Sequence, residues 1–287
     1  MPLEIKSGRI ERMPYSLSRW TDLPAAKWDW FEAQLDQGRM IGFDPRNAIP
    51  SWWSLKPEDV FGLVFWTKDP KALVQGYDQR LQGYKNVQAH VTLTGWEEVE
   101  HGVMALIDAC GWTRLLAARI GSENVSWRFS PVPLGLPDRS RGELPTGLLD
   151  RFECAAMLLE GVTTRCYVSF LQPNDFLNEN RPAEERIRLL RQMATLAKRF
   201  GIEVILCQDD HTLDGMEPHP NLRAGVCVRP ESFGQTKLEV EDCGCVPMID
   251  PFTINEACSK GCEYCYASDR ELNPRKRDTT IHLPVLP

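Results

Sequence analysis

The chain has 287 residues, enough for one large domain or two small ones. It is 43% hydrophobic and 25% charged, the composition of an ordinary globular protein, and its net charge of −7 excludes a global basic field for nucleic acid or anionic membrane. No apolar run reaches the length of a membrane span, and the stretch Met1 to Trp20 lacks the apolar core of a signal peptide, so the chain is expected in the cytoplasm.

In chain order, Tyr15 to Ser18 forms the first short apolar run. Residues 24–37 read as an amphipathic helix with Trp28, Phe31 and Leu35 on one face, stopped by Gly38. Residues 39–57 read as an irregular insertion or a short hairpin. Buried strands follow at 60–66, 87–93, 124–129, 164–170 and 202–207, separated by helical patterns at 70–83, 97–119, 145–160 and 182–200. The last helix carries Arg186, Arg188, Arg191, Lys198 and Arg199, most simply a solvated face. Near-continuous apolar strands alternating with helices predict an α/β fold with a parallel sheet. Without a Gly-x-Gly-x-x-Gly turn, the expected form is a (β/α) barrel or partial barrel of about six to eight parallel strands. The pattern breaks after residue 211. The expected division is therefore a barrel core over 1–211 and a Cys-rich segment over 212–287 that packs on the barrel's C-terminal face.

Ligands in parallel α/β folds bind at the C-terminal ends of the strands. The candidate lining is Arg19, Thr21 and Asp22, then Thr67, Lys68 and Asp69, Thr92 and Thr94, Arg128 and Ser130, Gln172 and Asn174, and Cys207, Gln208, Asp209 and Asp210. Loops are polar everywhere, so each single residue here has a plain solvation reading too. Asp209, Asp210 or His211 can serve as proton donor or acceptor, or form a hydrated loop. Arg275, Lys276 and Arg277 read as a solvated tail.

Ten cysteines in a cytoplasmic chain point to metal ligands or buried thiols rather than disulfides. Cys110, Cys154 and Cys166 lie in apolar contexts and read as core. The other seven crowd between Cys207 and Cys265. Cys258, Cys262 and Cys265 have the spacing C-x3-C-x2-C, with Tyr264 before the last. Three thiolates hold three corners of a four-iron, four-sulfur cube and leave the fourth iron open. A zinc knuckle is the competing reading, because Cys-x-x-Cys pairs also hold tetrahedral zinc. Cys207, Cys227, Cys243 and Cys245 form a second four-thiol set, the complement of a closed iron-sulfur or zinc site.

The three-cysteine run with its aromatic resembles the radical S-adenosylmethionine (SAM) enzymes, in which the open iron chelates SAM. Residues 18–25, 64–70, 91–96, 125–131, 168–172, 243–245 and 256–267 together resemble the domain-of-unknown-function 1848 family. That family is described by a C-terminal cysteine cluster similar to the radical SAM motif. The chain departs from the family's usual pattern at Trp20 and Ser130, and it lacks the Gly-Gly-Glu stretch of radical SAM enzymes. The resemblance implies a radical-SAM-like enzyme with a 4Fe-4S cluster on Cys258, Cys262 and Cys265, a second cluster as an option, and SAM held near Tyr264, Gly261 and Lys68. It implies that Arg19, Lys68 or Arg128 grip anionic groups of a small-molecule substrate, with Asp22 and Asp209 as further catalytic candidates. An electron donor such as a flavodoxin or ferredoxin is the expected partner. The competing functions are a non-enzymatic redox or sensor protein, a zinc-stapled barrel and, weakly, nucleic-acid repair. The motif's late position implies a permuted barrel, with residues 248–255 as a short strand beside the N-terminal one.

Overall fold

The computed structural model describes residues 5–18, 21–43, 50–132, 147–170, 182–207, 210–235, 240–251, 258 and 260–265. The chain runs through β1 (Ile5–Lys6), α1 (Gly8–Glu11), β2 (Tyr15–Ser16), α2 (Leu23–Ala26) and α3 (Trp28–Gln37), then the hairpin β3 (Arg39–Phe43) and β4 (Pro50–Ser54). Next come β5 (Leu63–Thr67), α4 (Lys71–Gly76), β6 (Val87–Thr92), α5 (Leu106–Ile120), β7 (Val125–Val132), α6 (Leu148–Leu158), β8 (Arg165–Phe170) and α7 (Ala183–Lys198). The last strands are β9 (Glu203–Cys207), β10 (Leu222–Gly225) and β11 (Asp250–Pro251).

Seven strands form one parallel sheet in the order β10-β9-β8-β7-β6-β5-β2. Each crossover from β5 to β9 contains a helix, which is what a parallel connection requires. The expected strands are all present. β10 adds a seventh beyond residue 211, where sequence periodicity ends, because a four-residue strand is too short to show a period. Among the described residues no pairing joins β10 to β2, so the structure establishes a helix-covered parallel sheet rather than a closed barrel. Ile249 makes a parallel bridge to Tyr15, with Ser16 N donating to Ile249 O at 2.9 Å and Ile249 N donating to Pro14 O at 3.0 Å. Ile249 therefore lies beside the N-terminal strand.

Two expected helices are shorter than their sequence pattern. The 24–37 helix is split at Lys27, whose φ of −141° leaves helical space, and α3 ends where Gly38 turns left-handed at φ 66°. The 97–119 pattern becomes helix only at Leu106, because the preceding residues are held in turns by bonds such as Glu100 N to Trp96 O at 2.9 Å. Within 39–57, β3 and β4 pair antiparallel, and a second sheet is built in the order β1-β4-β3-β11. Tyr15 links the two sheets by donating its hydroxyl to Ser54 O at 2.7 Å.

Strand alternation gives the large sheet two different faces. Leu63, Phe65, Ala89, Val91, Val125, Trp127, Phe129, Cys166 and Val168 enter the core shared with the helices. Trp127 stacks on Phe152 of α6 at 4.8 Å, and Phe129 meets the same ring edge-on at 5.2 Å. The other face carries Ser16, Val64, Trp66, Gln88, His90, Ser126, Arg128 and Tyr167, and the segment after β10 covers it. Val64 packs there with Val228, Phe233, Cys245, Val246 and Met248, while Gln88 Nε2 donates to Ser232 O at 3.1 Å. Cys110 and Cys166 are buried as expected, whereas Cys154 is exposed on the outer side of α6. Because Phe152 is fully buried between two aromatic neighbours, Phe152→Ala is expected to cost about 3–5 kcal/mol of stability. Urea unfolding measures this, and a loss below about 1 kcal/mol would contradict the packing.

Candidate functional site

The C-terminal end of β5 is fixed by one carboxylate. Asp22 caps α2 by accepting from Ala25 N at 3.2 Å, and it also accepts from Thr67 Oγ1 and Lys68 N, each at 2.7 Å. Loss of water around the carboxyl raises its pKa to about 6, against the opposing pull of these donors and of Lys260. Asp22 thus locks the turn that presents Lys68 and Asp69.

A second carboxylate, Glu100, organises the end of β6. It is only 2% exposed. Thr94 Oγ1 reaches both of its oxygens, at 2.8 and 2.9 Å, and Lys68 Nζ lies 2.8 Å from Oε1. The Tyr264 hydroxyl also donates to Oε1 and accepts from Lys68 Nζ at 3.1 Å. Burial, then the charge of Glu100, pushes the Tyr264 hydroxyl well above its ordinary pKa. A buried carboxylate of this kind is tolerable only because a cation and three hydroxyl contacts compensate it.

The cysteine loop docks on this pair of strand ends. Glu263 N donates to Val99 O at 3.0 Å, Gly102 N donates to Lys260 O at 2.9 Å, and Glu100 and Cys262 form an antiparallel bridge. Lys260, 8% exposed, pairs with Asp69 at 2.9 Å. Gly261 turns the chain between Lys260 and Cys262 at φ 59°, a left-handed conformation that side chains resist. Cys265 N then donates to Cys262 O at 3.1 Å. Among the described residues no three His, Cys, Asp or Glu side chains converge on one metal ion. A four-iron cube asks for something else: each cysteine binds a different iron, so the thiols must surround a shared volume. Cys258, Cys262 and Cys265 are half-buried, and Cys262 feels the charge of both others. Its thiol is pushed up to about 12 by burial, with Lys68 pulling the other way.

Arg128 belongs to a different place. It stands on the inner face of β7, level with Thr92 and Tyr167, and its charge bears on Cys227. Cys227 lies 3.5 Å from Cys245, sulfur to sulfur, and Cys243 is beside them. Cys207 ends β9 in register with Gly225 of β10. His90 on the same inner face stacks on Trp66 at 5.3 Å and meets Tyr167 at 5.7 Å. Burial, then Arg128 and Arg229, lowers its pKa to about 3, so it is neutral.

The remaining candidates divide simply. Arg19, Gln172, Asn174, Gln208, Asp209 and the basic run at 275–277 lie outside the described residues. Asp210 caps a short helical turn by accepting from Thr212 N at 3.0 Å, and His211 pairs with Asp214 on the surface. Ser130 hydrogen-bonds Ser169 on the neighbouring strand. Glu100 and His90 were not among the sequence candidates. Glu100 fell inside an apparent helix, although its position just after the strand-ending Thr94-Gly95-Trp96 was the available signal. His90 sat in a run read as apolar, although Gln88, His90 and Thr92 alternate.

Fold and site together define a parallel α/β protein whose cysteine loop caps the C-terminal ends of two adjacent strands. The family described as Domain of unknown function (DUF1848) matches residues 15–267, and the chain belongs to it. No curated protein matches the chain. Among solved structures, the chain is similar to a protein assigned as an alpha-L-fucosidase from Bacteroides thetaiotaomicron, with 12% identity and a TM-score of 0.33. The match covers 74% of this chain and 64% of that one, so the chain spans less than two thirds of that protein. A likeness at this level carries no argument about fold or activity.

Two outcomes follow from the site's electrostatics. Lys68→Met leaves Glu100 buried without its cation and is expected to lose about 3–5 kcal/mol, part of which returns in the double variant with Glu100→Gln. Additive losses in urea unfolding would show that the pair does not interact. Asp22 holds its proton more tightly in the folded chain than in the unfolded one. Its stabilising protonation is complete below about pH 4 and is lost as pH rises through about 6. Asp22→Asn should therefore change the slope of stability against pH in that window, and an unchanged slope would refute the raised pKa.

Proposed function

We propose that the chain is an iron-sulfur enzyme of the radical SAM type, acting on a small molecule at the C-terminal ends of the parallel strands. Cys258, Cys262 and Cys265 would hold a 4Fe-4S cluster. The supporting observation is the docking of their loop onto the ends of β5 and β6 through Lys260–Asp69 and the Glu100–Tyr264–Lys68 network. Held by these cysteines and reduced, such a cluster would supply one electron to the SAM sulfonium, whose carbon–sulfur bond would break to release methionine and a carbon-centred radical able to abstract hydrogen. A flavodoxin or ferredoxin is the class of donor suited to deliver that electron.

The chain's own residues have defined tasks in this reading. Glu100 and Asp69 hold the loop in place, and Gly261 permits its turn. Lys68 spends two of its three N–H donors on Glu100 and Tyr264, and among the described residues no partner takes the third, which a carboxylate would take. Asp22 is a positioning residue, since its acceptors are occupied by the backbone and hydroxyl groups that shape the β5 turn. Leu93, Trp96, Val103 and Met104 line a pocket beside Glu100 at the end of β6.

The test is anaerobic reconstitution with iron and sulfide. Wild-type protein should absorb broadly at roughly 400 nm, as thiolate-ligated iron does. It should convert SAM slowly to 5'-deoxyadenosine and methionine once reduced, and Cys262→Ala should do neither. A reducible cluster that neither binds nor consumes SAM would sink the SAM assignment, and a loop that takes zinc without sulfide would sink the cluster.

A further inference from the structure

Outside the loop, the structure brings Cys227 and Cys245 into contact, with sulfurs 3.5 Å apart. The backbone builds this contact. Val246 N donates to Val228 O at 3.0 Å, and a Cβ on Gly244 would stand 2.8 Å from Val226 Cγ1. Residues 226–228 therefore run beside 244–246 in the same direction, level by level. The turn that delivers Cys245 is closed by Gly244 N to Glu241 O at 2.7 Å and Glu241 N to Cys245 O at 2.8 Å. Gly244 takes φ 81° there, so a side chain is resisted both by conformation and by Val226. Cys243, in the same turn, directs its sulfur to Glu241 Oε2 at 3.9 Å, and Cys245 is the thiol that faces Cys227. The pair also sits at a junction of the fold. Gly225 ends β10, one edge of the large sheet, and Cys227 follows it closely. Ile249, shortly after Cys245, bridges to Tyr15 of β2 at the other edge.

We propose that Cys227 and Cys245 are a reversible dithiol–disulfide pair, a covalent strap that ties the two edges of the large sheet across its inner face. The strap does not depend on the cluster proposed for the cysteine loop. A disulfide sets its sulfurs about 2.05 Å apart, so side-chain rotation has only about 1.5 Å to close. The oxidant is a low-molecular-weight disulfide. Cys227 is half-buried and Cys245 is 7% exposed, so the small disulfide meets Cys227 first. The Cys245 thiol donates to Cys227 and, with the charge of Arg128, lowers the Cys227 pKa against the opposing effect of burial. The Cys227 thiolate attacks one sulfur of the small disulfide, breaks its S–S bond and releases one thiolate. Cys245 then loses its proton to that leaving group and attacks Cys227 Sγ, which breaks the mixed disulfide and releases the second thiolate. Two protein thiols lose two electrons and two protons, and the small disulfide becomes two thiols. The ring so closed contains Ser232, whose carbonyl already accepts from Gln88 on β6. Oxidation fixes this cover over the face that carries His90 and Arg128. Reduction leaves it held by hydrogen bonds and by the packing of Val228, Phe233 and Val246 on Val64.

The experiment incubates reduced full-length protein with oxidised glutathione, blocks the remaining thiols with an alkylating agent in denaturant and maps the peptides by mass spectrometry. Before treatment Cys227 and Cys245 should both be alkylated. After it they should be recovered as one linked peptide pair, two hydrogens lighter, and dithiothreitol should restore both thiols, a reading that needs no variant. The thermal midpoint of the oxidised protein should rise by roughly 5 °C. Cys245→Ser should stop at the glutathione adduct on Cys227 and show no such rise. Cys262→Ala should form the linked pair as wild type does, which separates this site from the proposed cluster. The proposal is overturned if both thiols remain alkylatable after treatment, or if Cys227 pairs with Cys243 instead. It is equally overturned if the purified protein holds iron or zinc that Cys227→Ser and Cys245→Ser each remove. A linked pair with an unchanged thermal midpoint would overturn the strap.

Discussion

The buried carboxylate of Glu100 is the constraint on which the candidate site depends. A carboxylate at 2% exposure is held only by a cation and hydroxyl donors around it. Those groups come from three separate parts of the chain: Thr94 from the end of β6, Lys68 from the end of β5 and Tyr264 from the cysteine loop. The carboxylate therefore sets the relative position of two strand ends and the loop at once. Removing any partner leaves a charge without compensation, so the three segments are energetically one unit.

The second organising fact is the polarity of the inner face. A parallel sheet covered on both sides ordinarily reads as continuous apolar strands. Here one face is apolar and meets the helices, while the other presents Gln88, His90, Ser126 and Arg128 to the segment after β10. Polar groups on a covered face are tolerable when they are satisfied or when they serve chemistry. Gln88 is satisfied by Ser232 O, and the charge of Arg128 bears on Cys227. Among the described residues His90 Nδ1, Ser16 Oγ and Ser18 Oγ have no protein partner, so this face retains hydrogen-bonding capacity that packing does not consume.

The large sheet was legible because its evidence is local. Each strand from β5 to β9 is a short apolar run, followed by a helical pattern, and both signals survive in isolation. The site was legible only in part. The cysteine spacing announced itself and brought Tyr264 with it, while Asp22 and Lys68 were found by strand-end logic. Glu100 was hidden because its neighbours Trp96, Val99 and Val103 mimic a helical period, while the backbone there turns instead. Arg128 was named as a strand-end residue, but β7 runs on to Val132 and holds it within the strand, level with Tyr167. β10 was invisible because its pairing with β9, not its own pattern, makes it a strand.

Chain order explains how a motif so late in the sequence reaches the first strands. Ile249 adds to the edge of the sheet beside Tyr15, so the peptide leaving it emerges at the same end as the peptides leaving β2 and β5. The contacts that follow span very long separations, 191 residues for Lys260–Asp69 and 196 for Lys68–Tyr264. Closing such loops costs chain entropy that grows only slowly with length, so the separation itself is a modest burden. The larger requirement is order. The loop offers few apolar side chains of its own, and its polar bonds need the β5 and β6 ends already in place as a template. In the folded state the position of the cysteine loop therefore depends on the β5 and β6 ends that its polar groups pair with.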